Sequence, residues 1–396
     1  WLDAITAQFK PSITGKEKNT YGKPILDDKD GGQMNISPSI SPDGKYVLFT
    51  SERNLFSTDI FLADATNGQI MKTVASTARG GNVDFFDFLE SSGAWSPDSK
   101  RVAVVGFKRG RNVLLIKSPF TGKTLDELAP ADLQAFSNPT WSPDGKTIVV
   151  AGLKEGHTDL YAYNIRTRTL KQLTDDKYSE IQPTWSEDGQ TLFFSTDQKA
   201  WENGRTYGRL TFNLASIDIV SGQLTHYDDV FPGADNLNPQ LDTAGNIIFM
   251  SNRDGYRNLY RYNLDTKELT QLTDLAVGIS GISHYSPAIS VDRKRDRVLY
   301  TLYGKRGYSI YRATSKDFLD KKVDPNDVTY AAAQLPRLNR AIKSIVDQQI
   351  AGIDEEILGE TAPLTSEPYK SKFKLDFLTG GGGLGVGNNL FGTNAG

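Results

Sequence analysis

The sequence predicts an all-β protein whose main domain is a six-bladed β-propeller. Two observations lead to this prediction: one turn motif recurs six times, and short strands follow every copy. The copies are Pro38–Lys45, Gly93–Lys100, Pro139–Lys146, Pro183–Gln190, Pro239–Asn246 and Pro287–Lys294. Their aligned sixth positions are separated by 55, 46, 44, 56 and 48 residues. Such a period is typical of repeat architectures, and four strands per unit indicate propeller blades.

Each repeat is expected to form four strands, named A to D in chain order. β-rich runs follow the motif at Tyr46–Ser51, Val102–Phe107, Thr147–Gly152, Thr191–Thr196, Asn246–Ser251 and Arg297–Gly304. An alternating strand comes next, as at Asp159–Asn164, and most units close with a strand such as Leu269–Thr273. The Asp-Gly pair of the motif suits a hairpin turn because glycine adopts positive φ angles at no steric cost.

The ring must also close, since an unpaired first or last blade would expose the edge of a sheet. Blade six ends near Thr314, and the sequence after it lacks a final strand. Residues 21–26, just before blade one, resemble the outermost strand of other repeats. We therefore expect residues near 21–26 to supply the fourth strand of blade six, which assigns the propeller to residues 21–314.

The two ends of the chain differ from the repeats. Residues 1–20 are expected to be an N-terminal linker or the end of an upstream domain, and they do not show the basic stretch and apolar run that are typical of a signal peptide. Residues 315–368 are expected to form a linker with an amphipathic helix at about 331–357. Residues 369–396 are rich in glycine, and Lys372–Leu378 alternates like a strand with one apolar face.

The composition excludes several classes of function. The chain has 45 Lys and Arg against 48 Asp and Glu, so it lacks the basic excess of a nucleic-acid-binding protein. It has no cysteine, which excludes disulfides, thiolate metal sites and a cysteine nucleophile. It contains neither a Gly-x-Ser-x-Gly nor a His-Glu-x-x-His motif and only three histidines. We therefore expect no catalytic residues, no metal site and no cofactor in this chain.

Trp95, Trp141 and Trp185 occupy the same place in three repeats. One interpretation is an aromatic platform for a sugar. A position that recurs in register across blades instead favours packing between blades.

Charge is unevenly distributed between two sets of loops that a propeller places on one face. The loops that enter the blades hold eleven acidic and two basic residues, and the B–C loops hold twelve basic and five acidic residues. Mutual neutralisation would explain this pattern; a charged face that steers a protein partner would also explain it. The candidate binding residues are Asp84, Asp87, Asp175, Asp176, Asp228, Asp229, Arg109, Arg111, Trp201, Arg205, Tyr207, Arg253 and Arg257.

Trp201 and Tyr207 are included as anchors because interface hot spots favour aromatic residues, although they could equally hold their own loop in place.

The Ser-Pro-Asp-Gly-Lys repeat with its Leu-Thr strand resembles the TolB-like six-bladed propeller. More narrowly, Asp28–Lys45 and Ser51–Asp64 look like a bacterial envelope family in which the propeller lies between a zinc-peptidase-like domain and an outer-membrane β-barrel. Residues 369–396 are similar to the start of such a barrel.

This resemblance implies a non-enzymatic periplasmic protein–protein interaction module, associated with an outer-membrane barrel or an envelope assembly. Its partners would be envelope or outer-membrane proteins, with membrane association through the barrel-like tail. Any peptidase activity would belong to an upstream domain. Two alternatives stay open: an accessory propeller that gates an upstream envelope peptidase, and a propeller that binds a glycan or another small molecule.

Overall fold

The structure is a computed structural model. It describes residues 1–14, 16, 20–30, 32–54, 57–78, 83–87, 93–130, 132–203, 210–304 and 306–329, with the backbone of 386–389 and 392–395. The chain divides into two compact units, residues 1–335 and 336–396. The predicted helix at 331–357 and the predicted strand Lys372–Leu378 lie outside the described residues.

Six antiparallel sheets form the blades of the first unit, as the repeat predicted. Helix α1 (Leu2–Ile13) and strand β1 (Lys23–Leu26) precede them. Blade one contains β2 (Asn35–Ile40), β3 (Tyr46–Ser51), β4 (Asp59–Asp64) and β5 (Ile70–Ala75). Blade two contains β6 (Phe85–Phe86), β7 (Ala94–Trp95), β8 (Val102–Lys108), β9 (Arg111–Lys117) and β10 (Thr124–Leu128). Blade three contains β11 (Ala135–Trp141), β12 (Thr147–Lys154), β13 (His157–Asn164) and β14 (Leu170–Gln172).

The other three blades follow the same order. Blade four contains β15 (Glu180–Trp185), β16 (Thr191–Thr196), β17 (Asn213–Asp218) and β18 (Leu224–His226), with helix α2 (Gln198–Glu202) in its B–C loop. Blade five contains β19 (Asn236–Leu241), β20 (Ile247–Ser251), β21 (Asn258–Tyr262) and β22 (Leu269–Gln271). Blade six contains β23 (Ile289–Asp292), β24 (Arg297–Gly304) and β25 (Gly307–Ala313). Strands β26 (Lys321–Lys322), β27 (Val386–Asn389) and β28 (Gly392–Ala395) come last, and β27 pairs with β28 in the second unit.

The innermost strands close a ring. Contacts join β2 to β7, β7 to β11, β11 to β15, β15 to β19, β19 to β23 and β23 to β2. Each pair belongs to neighbouring blades, so the six sheets surround one central channel. Hydrophobic clusters fill the spaces between blades, and they contain Trp95, Trp141 and Trp185. Each of these indoles is 6% exposed, which supports their interpretation as packing between blades.

The predicted closing strand is confirmed. Strand β1 pairs antiparallel with β25 and so becomes the fourth strand of blade six. Leu26 is completely buried, and the backbone of Tyr21 exchanges two hydrogen bonds with the hydroxyl of Tyr300. Gly22, just before this strand, has φ +74° and lies against the carbonyl of Arg312, where a Cβ atom would clash. The N-terminal segment therefore joins the two ends of the propeller.

A hydrogen-bond network explains why the turn motif recurs. In blade three the hydroxyl of Ser142 donates to Asp144 Oδ1 at 2.6 Å and accepts from the backbone N–H of Thr147 at 3.0 Å. The same serine–aspartate bond forms at Ser41, Ser96 and Ser186. The Ser142 hydroxyl also holds the pKa of Asp144 below its usual range. The motif thus encodes the A–B turn of each blade.

The repeat alignment of blade six is wrong by two residues. Val291 pairs with Val298 as Ile40 pairs with Val47, so Asp292 takes the place of the motif serine. Arg293 therefore stands where Pro42 stands in blade one. The sequence alignment failed because this turn has lost both the serine and the proline and keeps only an aspartate.

Several loop expectations also needed correction. Residues 135–138 and 180–182, assigned to entering loops, lie in strands β11 and β15. In the expected linker after blade six, β26 pairs with β22 and adds a fifth strand to blade five. Helix α1 was not predicted. No helix in the described part of the chain is both long enough and apolar enough to cross a membrane.

Candidate docking face

The entering loops and the B–C loops meet on one face of the propeller. Asp84 in an entering loop accepts a hydrogen bond from the backbone N–H of Arg109 in a B–C loop at 3.0 Å. Lys199 of helix α2 forms an ion pair of 3.2 Å with Asp228 of the next entering loop. A β-bridge also joins Thr158, near the start of β13, to Ser179 of an entering loop. We call this surface the docking face.

The structure places the candidate residues at different depths. Asp84, Arg109, Arg111, Asp175 and Asp229 are exposed. Asp87, Asp176, Asp228 and Arg257 are half-buried. Trp201 is 40% exposed on helix α2. Arg205 and Tyr207 lie outside the described residues.

Arg253 belongs to the interior and not to the exposed surface. The residue is 6% exposed, and its Nε donates to Tyr260 Oη at 3.0 Å. Its Nη1 donates to the carbonyl and the carboxylate of Asp327, both at 2.8 Å. The guanidinium thus attaches the segment after β26 to blade five. The sequence could not show this because Asp327 is 74 residues away.

Part of the docking face is neutralised internally, as one interpretation of the sequence expected. Besides the Lys199–Asp228 pair, Arg306 pairs with Asp28 at 3.0 Å. His284 Nε2 lies 2.9 Å from the buried carboxylate of Asp235, and the other ring nitrogen of His284 contacts Arg257. These contacts hold blades five and six together at the rim.

The region between blades three and four is different. Five carboxylates gather there, and we call them the blade-four acidic cluster: Asp159, Asp175, Asp176, Glu180 and Asp197. Oxygen atoms of Asp159, Asp176 and Glu180 lie within 4.8 Å of one another. Among the described residues, none of the five has a lysine or arginine partner within 4.0 Å. Mutual neutralisation therefore does not extend to this part of the face.

Glu180 lies at the bottom of the cluster. Its Oε2 accepts from Thr174 Oγ1 at 2.9 Å, and its Oε1 accepts from Thr196 Oγ1 at 3.1 Å. Burial, followed by the negative charges of Asp176 and Asp159, raises the pKa of Glu180 to about 8. Burial also raises the pKa values of Asp159 and Asp197. Glu180 therefore holds a proton at neutral pH, while the exposed Asp175 supplies negative charge at the surface.

Two roles are compatible with this geometry. Three converging carboxylates could hold a cation, since oxygen ligands suit calcium or magnesium. Asp159 also has a scaffold role, because its Oδ1 accepts from the backbone N–H of Asp176 much as Asn258 Oδ1 accepts from that of Leu275. The neutral Asn258 therefore makes the same backbone contact in blade five that Asp159 makes in blade three.

The sequence identified only part of this cluster. Asp175, Asp176 and Glu180 stand out as a short acidic run, but Asp159 lies on a strand and Asp197 begins the next B–C loop. Their approach depends on the packing of blade three against blade four. The repeat itself offered a signal, because Asp59, Asp159 and Asn258 occupy the same position in the C strands of blades one, three and five.

Trp201 lies beside the cluster. The carbonyl of Asp197 accepts the backbone N–H of Trp201 at 3.2 Å, and Asp197 Oδ1 accepts the backbone N–H of Ser179 at 2.8 Å. Helix α2 is thereby attached to the chain segment that carries Glu180. A half-exposed indole and an acidic surface are thus adjacent on the docking face.

Six blades of four or five strands, the last of them completed by an N-terminal strand, define the class as a six-bladed β-propeller. The model of the TolB beta propeller domain matches residues 89–290, just over half of the chain. The chain belongs to this family, which confirms the resemblance seen in the repeats. No curated protein sequence matches the chain.

Among solved structures, one shares the fold with a TM-score above 0.5, and two others are similar to this chain at lower scores. A protein of Agrobacterium tumefaciens assigned to TolB is 16% identical, with 71% of this chain and 90% of that chain covered and a TM-score of 0.51. TolB from Acinetobacter baumannii is 19% identical, covering 81% and 70%, with a TM-score of 0.45. The β-propeller domain of the Trilobed protease from Pyrococcus furiosus is 17% identical, covering 74% and 84%, with a TM-score of 0.46.

Proposed function

We propose that this chain is a non-enzymatic protein-interaction module of the periplasm and works within an envelope assembly at the outer membrane. In this proposal residues 21–314 form the binding domain, and residues 369–396 lead towards an outer-membrane barrel. Membership of the TolB propeller family supports a periplasmic protein partner. Fold membership alone does not define a function, so the proposal also depends on the docking face.

The observation that supports docking most strongly is the unneutralised acidic cluster. Like charges that are held together without counter-ions repel one another, and after burial, the main cause, the charges of Asp176 and Asp159 also raise the pKa of Glu180. A partner that brings lysine or arginine side chains to Asp175 and Asp176 would relieve the repulsion. Complementary charge of this kind accelerates association and suppresses incorrect partners.

The neighbouring indole gives the same surface an apolar contact. Trp201 is 40% exposed on helix α2, at the edge of the acidic cluster. Interface hot spots favour tryptophan because a large ring can be buried with little loss of conformational entropy. We therefore expect a partner surface that combines basic side chains with an apolar pocket.

Reversing the charge of Asp175 and Asp176 tests this proposal. We expect the Asp175→Lys, Asp176→Lys double variant of the native full-length protein to capture its envelope partners at least about tenfold less at low salt. Capture by the unmodified protein should fall with rising salt, because screening weakens exposed charges. Affinity purification from envelope extracts followed by mass spectrometry measures both effects.

Two control variants separate docking from folding. Asp175→Asn with Asp176→Asn keeps the side-chain acceptor for the backbone N–H of Tyr178 and should reduce capture less than the reversal does. Asp265→Lys with Glu268→Lys makes the same charge change in the C–D turn of blade five, on the opposite face, and should leave capture unchanged. Equal capture by the double reversal and the unmodified protein would place docking elsewhere.

A further inference from the structure

A cavity of about 460 Å³ occupies the central channel and extends to the A–B turns, on the face opposite the docking face. Its volume lies in the range of small-molecule sites, roughly 300–1,000 Å³. Its apolar walls come from Trp95, Trp141, Trp185, Pro38, Pro42, Pro97, Pro139, Pro143, Pro183 and Pro287. The proposed docking function does not use this cavity.

Most polar side chains at the cavity are already engaged in joining the blades. Gln182 Oε1 accepts the backbone N–H of Asn238 at 2.6 Å, and its Nε2 donates to the carbonyl of Tyr285 at 2.8 Å. Asn238 Oδ1 accepts the backbone N–H groups of Ala288 and Ile289 at 3.1 and 3.2 Å. These amides therefore stabilise the ring and have little capacity left for a ligand.

Arg293 differs from the other polar groups of the cavity. It occupies the A–B turn position that is proline in blades one to three, and it reaches across the channel to blade four. There its Nη2 donates to Thr184 Oγ1 at 3.2 Å, its one hydrogen bond among the described residues. A guanidinium has five N–H donors, so most of its donors remain available. Burial lowers the pKa of Arg293, and the residue keeps partial exposure because the cavity is open.

The other charged groups at the cavity do not pair with this guanidinium. The buried carboxylate of Asp292 is paired with Arg297 at 2.6 Å. Glu187, which is exposed, attracts Arg293 electrostatically, but no ion pair within 4.0 Å joins them in the described structure. Lys294 adds a second positive charge at the exposed end of the cavity. The cavity therefore offers one partly buried, fork-shaped donor between apolar walls of proline and tryptophan.

We propose that the central cavity binds a small organic carboxylate, with the carboxylate on Arg293 and an apolar, planar body between the indoles and prolines. Guanidinium groups bind carboxylates through two parallel hydrogen bonds. Aromatic side chains cannot provide these hydrogen bonds. Each of the three tryptophans is 6% exposed, so only a small part of each indole, together with the prolines, would contact the rest of the ligand. A bound carboxylate would pair with the partly buried positive charge of Arg293. This role would explain why an arginine occupies a position that is proline in three other blades.

Phenylacetate and its neutral amide, phenylacetamide, are suitable probes. The full chain has five tryptophans, so its indole N–H signals in a nitrogen–proton NMR spectrum report the location of binding. We expect phenylacetate to shift the signals of Trp95, Trp141 and Trp185 with a Kd of about 1 mM, and to leave those of Trp1 and Trp201 in place. Phenylacetamide should bind about tenfold more weakly, since it cannot form a charge-assisted pair.

Three variants complete the test. Arg293→Gln should weaken phenylacetate binding about tenfold, and Arg166→Gln, an exposed arginine on the same face but outside the cavity, should not change it. Glu187→Gln should strengthen binding a few-fold, because it removes a competing negative charge. Equal binding of acid and amide by the unmodified protein would overturn the proposal, as would unchanged acid binding by Arg293→Gln or the absence of saturable shifts at the three indoles.

Discussion

Deleting residues 1–30 should open the propeller ring and lower the melting temperature by more than about 10 °C. The deletion removes β1, the fourth strand of blade six, and leaves β25 as an exposed edge. It also removes the buried side chains of Tyr21, Ile25 and Leu26. Each loss of a large buried side chain costs about 2–5 kcal/mol, which together approaches the whole stability of a typical domain.

Two further variants show whether β1 itself is responsible. Deleting residues 1–14 removes only α1, most of whose residues are exposed, and should change the melting temperature little. Leu26→Ala keeps the strand but creates a cavity at a completely buried position, and should cost about 2–5 kcal/mol in urea unfolding. If the deletion of residues 1–30 melts at the temperature of the deletion of residues 1–14, β1 does not close the ring.

The repeats made the fold predictable because their information is local. Ser142 and Asp144 are two residues apart, and their hydrogen bond fixes one A–B turn wherever the pair occurs. Copies of this turn at regular intervals set the number of blades. The closing strand was also predictable, since a ring with an open edge is unfavourable and residues 21–26, outside the six repeats, resemble the D strands within them.

The candidate sites were less predictable because they depend on contacts between distant segments. Asp159 reaches Glu180 only when two blades pack, and Arg253 is buried only because residues after β26 return to blade five. Arg293 lies in a turn that the sequence alignment shifted by two residues. In each case the sequence shows the charged residue, but its position in the fold depends on the register and packing of the strands.

Replacing Glu180 with glutamine should make the protein more stable at pH 8, although it removes a charged group. The pKa of Glu180 is about 8 in the folded protein, against an ordinary value of 4.5. Between these pH values the folded chain keeps a proton that the unfolded chain has lost, so the free energy of unfolding falls as pH rises. The loss between pH 5 and pH 8 is of the order of 3 kcal/mol. Glutamine does not titrate and should abolish most of it.

Glutamine should preserve the contacts of this position. Its oxygen can accept from Thr174 Oγ1, and its amide nitrogen can donate to Thr196 Oγ1. Blades one and five already have the neutral residues Asn35 and Asn236 at the equivalent place in their A strands. Urea unfolding at pH 5 and pH 8 measures the effect on the free energy of unfolding. Glu127→Gln, at an exposed position, is a control in which this free energy should change between the two pH values as it does in the unmodified protein. If the free energy of unfolding falls as much between pH 5 and pH 8 in Glu180→Gln as in the unmodified protein, the raised pKa of Glu180 is contradicted.

The same variant separates stability from docking. Because Glu180 is protonated at neutral pH, it contributes no charge to the docking face, whereas Asp175 lies at the surface of that face. Glu180→Gln should therefore leave partner capture at neutral pH unchanged, while reversal of Asp175 and Asp176 reduces it. Reduced capture by Glu180→Gln at neutral pH would mean that the partner, or a cation held with it, requires the ionised carboxylate at the bottom of the cluster.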